Sequence, residues 1–301
     1  MSKLRHSYHG WINLHKPLHL TSADAVFQVK RLIHPTKIGH AGTLDPLATG
    51  VLPLALGEGT KCVNLLMDAK KTYEFSVTFG ERRTTDDAEG EVVETSETIP
   101  TAEEIRAVLP RFTGEIMQTP PIYSALKVAG KRAYDLARAG EEVVLAPRPV
   151  TVYALECLRG DVPSIAHFRA VVSKGTYIRS LGRDIAQALG SQGYISRLHR
   201  AAVGPFCDTD AISLDFLAES VHKAPPSGES PWLTPLLRAL DDIPAVALNG
   251  GQLQQLRHGQ RVALGQPHPD TPQIAVVHAG QLAALARVEG NQVIPVRLLV
   301  L

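Results

Sequence analysis

Apolar and polar residues alternate along the chain in two periods, one typical of strands and one typical of helices. Residues 71–79 (KTYEFSVTF) alternate with a period of two, as expected for a half-buried strand. Shorter apolar runs predict further strands over residues 10–14, 51–56, 150–158, 167–173 and 193–206. Apolar residues at helical spacing predict helices over 23–32, capped by Thr21 or Ser22, and over 177–189. Residues 35–50, rich in proline, glycine and threonine, are predicted as loop.

Residues 114–150 break this regularity. Before them, Thr101 and Glu104 have the spacing of a capping box, which predicts a helix to about Phe112. The chain then becomes rich in proline and glycine, and only residues 133–138 are predicted as a short helix. A long, weakly structured segment inside a compact domain is usually functional, so we expect a functional insertion here.

A second domain is predicted at the C-terminal end of the sequence. Residues 223–231 (KAPPSGESP) have the composition of a linker. From about Pro244 the pattern changes to short β-like runs separated by glycine, asparagine and proline. We therefore expect a main domain over residues 1–243 and a small β-rich domain over 244–301.

The composition is that of an ordinary globular protein, but its charge is unevenly distributed. Charged residues make up 20% of the chain and the formal net charge is +1, so bulk charge does not predict a nucleic-acid partner. Residues 173–200 carry five basic residues against one acid, whereas residues 81–104 carry two basic residues against nine acids. Either the first segment holds a polyanion that the second repels, or the two are solvated faces of opposite sign.

The cysteines and apolar runs indicate a cytoplasmic protein. Cys62, Cys157 and Cys207 are far apart and form no CxxC pair, so neither a zinc site nor a thioredoxin-like site is indicated. The N-terminal residues MSKLRHSYHGW lack the apolar core of a signal peptide. No apolar run approaches the ~18–20 residues that span a membrane. We expect a cytoplasmic location and no membrane partner.

The first candidate for chemistry is Asp45, in residues 39–50 (GHAGTLDPLATG). Pro46 biases Asp45 away from helical geometry, and the glycines allow the backbone to approach other groups closely. A carboxylate on such a loop, beside an apolar strand and close to His40, is well placed at the mouth of a cleft. A lone Asp-Pro step is more often an ordinary turn, which stays the alternative.

Other candidates are weaker when each is taken alone. Arg179 follows Tyr177 in the first turn of a predicted helix, where the guanidinium is placed to pair with a buried carboxylate and the phenol to stack on a planar ligand. A capped helix with a surface arginine is the alternative. Tyr73 begins the strand over 71–79, where an ordinary core aromatic is the alternative. In the irregular insertion, basic residues alternate with aromatic ones, which suits a folded nucleic acid or merely a solvated loop: Lys127, Lys131 and Arg132 with Tyr123 and Tyr134.

Taken together, these segments resemble the TruB family of tRNA pseudouridine synthases. The resemblance runs over residues 10–206 through Lys16-Pro17 with Thr21-Ser22, GHAGTLDPLATGVLPLALGEGTK at 39–61, Lys71-Thr72-Tyr73, PPIYSALKVAGKRAYDLARAG at 120–140, Arg148-Pro149-Val150, KGTYIRSLGRDIA at 174–186 and LHRAAVGPF at 198–206. Ala41 and Thr43 depart slightly from the commonest form, at positions that carry no catalytic side chain in the family. The residues from about 244 resemble more loosely the small PUA-like RNA-binding domain of bacterial members.

The resemblance implies a role for each matching residue. Asp45 matches the catalytic aspartate, Tyr73 the tyrosine that stacks on the target uracil, and Arg179 the arginine that ion-pairs with the aspartate. His40 matches the histidine that takes the space of the extruded nucleotide. The remaining residues expected to bind substrate are Tyr177, Leu198, Lys16, Lys127, Lys131 and Arg132.

The resemblance also implies a fold, a reaction and a partner. We expect an α+β pseudouridine synthase fold, with a mixed, largely antiparallel central sheet flanked by helices, an RNA-binding thumb over about 114–150 and a PUA-like domain over 244–301. The implied activity is isomerisation of the T-loop uridine at position 55 of tRNA, with no metal or cofactor, by a monomer with no obligate protein partner. A non-catalytic RNA-binding or tRNA-folding protein and a small-molecule α/β enzyme are the alternatives.

Overall fold

The computed structural model describes residues 5–124, 126–128, 130–140, 143–162, 164–223, 230–241 and 243–300, with only the backbone described for 127, 128, 131, 132, 135, 137, 138 and 159–162. The strands are β1 (Gly10–Lys16), β2 (Ile38–His40), β3 (Ala48–Leu56), β4 (Lys71–Phe79), β5 (Glu81–Arg83), β6 (Val92–Thr95), β7 (Gly114–Gln118), β8 (Lys127–Val128), β9 (Lys131–Arg132), β10 (Arg148–Val162), β11 (Ile165–Val172), β12 (Gly193–Val203), β13 (Phe206–Cys207), β14 (Ala245–Ala247), β15 (Val262–Ala263), β16 (Thr271–His278), β17 (Gln281–Glu289) and β18 (Gln292–Leu298). The α-helices are α1 (Ser22–Ile33), α2 (Val63–Asp68), α3 (Ala102–Val108), α4 (Ala133–Arg138), α5 (Ile178–Ala188), α6 (Leu214–Lys223) and α7 (Gly250–Arg257).

A nine-stranded sheet forms the centre of the fold. Its strands run in the order β1-β3-β12-β4-β11-β10-β7, with β2 paired to β3 and β13 to β12. Every described pairing in this sheet is antiparallel except that of β3 with β12, which runs from Ala48 opposite Leu198 to Gly50 opposite Arg200. The expected mixed, largely antiparallel sheet is therefore confirmed.

The main hydrophobic core lies where helices cover one face of this sheet. The period of two in β4 places Phe75, Val77 and Phe79 on the same face, where all three are buried. Helix α5 packs closely over this face because Gly182 has no side chain, and a Cβ there would lie 2.6 Å from Ile195. Arg179, on the same helix, is thereby held over the middle of the sheet.

Several sequence-based boundaries are corrected. Residues 35–50 are not all loop, because Ile38–His40 forms β2 and β3 already begins at Ala48. Residues 114–118 are not irregular either, because β7 pairs with β10 at the edge of the central sheet. Both short strands depend on partners far away in the sequence, which local patterns do not report. The helix predicted over 133–138 is present as α4.

The C-terminal residues form a five-stranded sheet, in the order β14-β16-β17-β18-β15, with helix α7 packed on it. A shared hydrophobic cluster joins this sheet to the main domain, and it includes Leu282, Leu285 and Leu299 together with Trp11 and Phe206. The β-rich C-terminal region is confirmed, whereas the division at residue 243 stays a prediction. Residues 224–229 of the predicted linker lie outside the described residues.

No helix in the described part of the chain is both long enough and apolar enough to cross a membrane.

Candidate active site

The loop that carries Asp45 is fixed on both sides of that residue. On the N-terminal side, the Ser22 hydroxyl accepts a hydrogen bond from the Leu44 amide (2.8 Å) and donates one to the Leu44 carbonyl (3.1 Å). On the C-terminal side, the Pro46 carbonyl accepts hydrogen bonds from the His19 amide (2.9 Å) and the Lys16 ammonium (3.4 Å). A loop tied at both neighbours holds its carboxylate in one place.

Arg200, on β12, also supports the loop that carries Asp45. Its side chain is 1% exposed, and its guanidinium donates to the carbonyls of Val51 (2.8 Å), Gly42 (3.0 Å) and Thr43 (3.3 Å). Gly50 lets β3 and β12 approach closely enough for this, because a Cβ there would lie 2.3 Å from the Arg200 carbonyl oxygen. The glycine pattern of residues 39–50 thus has a packing reason at Gly50.

Arg179 contacts Asp45 from the first turn of α5. Its Nε lies 3.0 Å from Oδ2 of Asp45, and its Nη2 donates to Oδ1 at 3.3 Å. The remaining donors reach the carbonyls of Thr85 and Tyr123, each at 3.0 Å. The Arg179 side chain is 7% exposed, whereas that of Asp45 is 38% exposed. The expected contact is present, and the carboxylate is partly open to solvent.

The acidic segment 81–104 packs against the basic segment 173–200. Asp87 Oδ2 lies 3.7 Å from Arg179 Nε, and Asp86 Oδ2 lies 2.9 Å from Arg183 Nη1. Both aspartates are buried, and burial raises the pKa of Asp86 above its usual value. Neither alternative, a polyanion held by one segment and repelled by the other or two solvated faces of opposite sign, is right at these four residues, because their opposite charges face each other.

A small pocket opens beside the Asp45–Arg179 pair. It is lined on one side by Leu47, Ala48 and Asp87, and on the other by β12 at residues 195–198. Leu198 is 8% exposed and belongs to this lining. The pocket brings apolar side chains next to the ionic groups of Asp45, Asp87 and Arg179.

Comparison with known proteins identifies the family. The sequence model described as "TruB family pseudouridylate synthase (N terminal domain)" matches residues 30–178, and "tRNA pseudouridylate synthase B C-terminal domain" matches residues 179–245. A "tRNA pseudouridine synthase B" of Bradyrhizobium diazoefficiens is 49% identical over 97% of this chain and 86% of its own. The protein of the same name from Rhodospirillum rubrum is 47% identical over 96% of both chains. The chain belongs to the TruB family of pseudouridylate synthases.

Solved structures agree with this family. "Structure of H/ACA RNP bound to a substrate RNA containing 2'-deoxyuridine" holds a chain with a TM-score of 0.76 and 25% identity, over 97% of this chain and 86% of that one. "Crystal Structure of a Cbf5-Nop10-Gar1 Complex" holds one with a TM-score of 0.75 and 28% identity, over 98% and 85%. The pseudouridine synthase fold expected from the sequence is thus confirmed over nearly the whole chain.

Tyr177, His40 and Tyr73, the other residues matched to the family, are not among the residues that line the described pocket. Tyr177 directly precedes α5, and burial raises the pKa of its phenol. His40 ends β2 half-buried, and burial, with a smaller contribution from Arg200, lowers the pKa of its imidazole. Both side chains are therefore neutral near pH 7. Tyr73 pairs with Arg200 across β4 and β12, on the sheet face that carries the Phe75–Leu198 pair.

Four residues expected to bind substrate are either buried under the loop or have side chains outside the described residues. Lys16 is fully buried, and its ammonium donates to the carbonyls of Pro17 and Leu20 as well as Pro46, which gives it a supporting place under the loop. Burial lowers the pKa of Lys16 to about 8. The backbones of Lys127, Lys131 and Arg132 form the short β8–β9 hairpin, but their side chains lie outside the described residues.

Sequence reasoning missed three contributors to this site. Ser22 was considered as a helix cap and as part of the Thr21-Ser22 match to the family, Asp87 only as one of nine acids, and Gln118 not at all. An acid in a TDDAEG turn carries no signal of its partner, because that partner is Arg179, more than 90 residues away. Among the described residues, no cluster of three or more histidine, cysteine or carboxylate side chains is placed to hold a metal ion.

Proposed function

We propose that this pseudouridylate synthase isomerises the uridine at position 55, in the T-loop of tRNA, with Asp45 as its catalytic carboxylate. The observation that carries the proposal is the contact of Asp45 with Arg179 at 3.0 Å beside a pocket lined by Leu198. Support for a tRNA substrate comes from the relatives named tRNA pseudouridine synthase B. The position within tRNA follows from the sequence blocks shared with the TruB family.

The chemistry needs one carboxylate that stays ionised. Isomerisation breaks the bond between N1 of the base and C1′ of the ribose, turns the uracil and rejoins it through C5. Asp45 has three available roles: it stabilises or traps the cationic sugar, attacks the base, or removes a sugar proton. All three need the anionic form, and the guanidinium of Arg179 lies against that carboxylate, with Nε 3.0 Å from Oδ2.

The target base has to leave its stack before it reaches Asp45. Unstacking costs a few kcal/mol, which stacking of the flipped base on Tyr73 and filling of the vacated space by His40 offset. A neutral imidazole suits that space because it carries no charge that needs water. Leu198 closes the apolar side of the pocket, and Tyr177 lies beside the Asp45–Arg179 pair.

RNA outside the pocket is held by other parts of the chain. We assign phosphate contacts to the basic residues of the thumb, at about 114–150, which include Lys127, Lys131 and Arg132. We assign further RNA contacts to the PUA-like C-terminal domain over 244–301. The protein acts as a cytoplasmic monomer and needs no protein partner for the reaction.

The test is tritium release from C5-labelled uridine in a T-arm stem-loop. Wild-type protein is compared with Asp45→Asn and with a control, Asp215→Asn, which changes an exposed carboxylate on α6. We expect release by wild type and by the control, and background release by Asp45→Asn with RNA affinity within about threefold, because an amide keeps the shape of the carboxylate and loses its charge. Turnover by Asp45→Asn refutes the role of Asp45. RNA binding without release by wild type supports the binding-only alternative.

A further inference from the structure

The first turn of α5 is held by a glutamine outside the helix. Gln118 ends the edge strand β7 and is 1% exposed. Its Nε2 donates to the Tyr177 carbonyl (3.1 Å), and its Oε1 accepts from the Tyr177 amide (2.8 Å). Tyr177 is the N-cap of α5, and its own side chain makes no capping hydrogen bond. The side-chain amide of Gln118 thus contacts both the N–H and the carbonyl of the N-cap residue, whose carbonyl also accepts a hydrogen bond from the Leu181 amide (3.0 Å).

The residues that follow Gln118 continue along the same turn. The Thr119 carbonyl accepts hydrogen bonds from the Ser180 hydroxyl (2.8 Å) and from Nη2 of Arg183 (2.9 Å). The Tyr123 carbonyl accepts one from Nη2 of Arg179 (3.0 Å). Residues 118–123 therefore form a strut, by which we mean a segment joined to the start of α5 at residues 177, 179, 180 and 183.

The direction of Arg179 depends on this strut. Arg179 is the second residue of α5, two residues after the peptide groups that Gln118 holds. Asp45 is fixed separately, by Ser22 and by the carbonyl contacts around Pro46. A shift of the first turn of α5 therefore moves the guanidinium relative to the carboxylate, and such a shift of about 1 Å costs on the order of 100-fold in rate.

We propose that Gln118 is a positioning residue for the isomerisation, because it sets the direction of Tyr177 and Arg179 toward Asp45 through the backbone of α5. This inference rests on the proposed role of the Asp45–Arg179 pair. Gln118 also begins the strut, which belongs to the first part of the proposed thumb. Its two hydrogen bonds therefore tie the base of the proposed RNA-binding segment to the reacting groups.

Gln118→Met tests the proposal because it keeps the length of the side chain and removes both hydrogen bonds. We expect the single-turnover rate at saturating stem-loop RNA to fall about 10- to 100-fold, while the RNA dissociation constant changes less than threefold. In Gln118→Glu the acceptor for the Tyr177 amide stays, but the carboxyl donates to the Tyr177 carbonyl only while it is protonated. Its rate, relative to wild type at the same pH, is therefore expected to be near wild type at low pH and to fall at least to that of Gln118→Met as the carboxyl ionises. This second variant decides the question if Gln118→Met does not fold.

The control is Thr101→Ala, which removes the cap of α3. It lowers stability through a helix N-terminus far from Asp45 in the sequence, and its single-turnover rate is expected to equal that of wild type. A wild-type rate in both Gln118 variants, whatever their melting temperatures, overturns the proposal. So does a loss of RNA affinity without a loss of rate. An inactive wild type or an active Asp45→Asn in the same assay refutes the proposed function instead, so the two failures are told apart.

Discussion

Replacing Arg200 by methionine tests how the Asp45 loop is supported. Methionine keeps much of the apolar length of the arginine side chain and removes its charge and its donors. Three carbonyls, at Gly42, Thr43 and Val51, then lose the guanidinium that now contacts them at 2.8–3.3 Å. The residue is 1% exposed, so water cannot replace these contacts without rearrangement of the loop.

The size of the effect follows from those three contacts. A hydrogen bond from a charged group contributes roughly 1.5–3 kcal/mol each, but the three share one group and are not additive. Removing a buried cation also relieves a desolvation cost of several kcal/mol. We expect a net loss of about 3 kcal/mol in the free energy of unfolding. With an unfolding entropy near 0.6 kcal/mol/K for 301 residues, this corresponds to a fall in Tm of about 5 °C.

Thermal unfolding followed by circular dichroism measures this change. Arg197→Met, on the same strand but exposed, is the control and is expected within about 1 °C of wild type. Arg200→Lys keeps the charge, but lysine lacks the planar guanidinium that contacts all three carbonyls. Its Tm is therefore expected to lie between that of Arg200→Met and that of wild type. A Tm of Arg200→Met within 1 °C of wild type refutes the view that these contacts hold the loop.

Three further predictions concern Asp87, Lys16 and the basic residues of the proposed thumb. Asp87→Asn removes the second carboxylate near the active-site guanidinium and is expected to lower single-turnover rates about tenfold with unchanged RNA affinity, an effect of ~1.4 kcal/mol. The pKa of Lys16 is about 8 in the folded protein and higher in the unfolded chain, so above pH 8 the unfolded chain binds more protons than the folded protein. The free energy of unfolding of wild type, measured with urea, should therefore rise relative to that of Lys16→Met from pH 8 to 10. The double variant Lys131→Gln/Arg132→Gln is expected to reduce the slope of log affinity against log salt, whereas Arg183→Gln should lower stability and leave that slope unchanged.

Local patterns predicted those parts of the fold that depend on neighbours in the sequence. The alternation over 71–79 gave the bounds of β4, and the helix predicted over 23–32 lies within α1, whose N-cap is Thr21. What local patterns could not give is the pairing of β3 with β12 over residues 48–50 and 198–200. That pairing brings Arg200 under the Asp45 loop, and it arises from contacts about 150 residues apart.

The candidate site was predictable where a residue type itself carries chemistry. Asp45 and Arg179 stood out because of an Asp-Pro step among glycines and an arginine at a helix start, and the family resemblance joined them. Gln118 and Ser22 act through backbone contacts, which any amide or hydroxyl can make, so their types gave no signal. For Lys16 the residue type suggested the wrong place. A lysine usually lies at the surface, where it can bind substrate, but Lys16 is fully buried.

Segment charge was the least informative property, for a physical reason. A basic residue of segment 173–200 can bind a polyanion only if its charge faces solvent. Arg179, Arg183 and Arg200 instead contact aspartates and carbonyls inside the fold. Three of the five basic residues in that segment are therefore engaged by groups of the protein itself, and the segment's net charge overstates the charge that faces solvent. A near-neutral protein of this kind binds RNA by cations placed elsewhere. We propose Lys127, Lys131 and Arg132 of the thumb for that role.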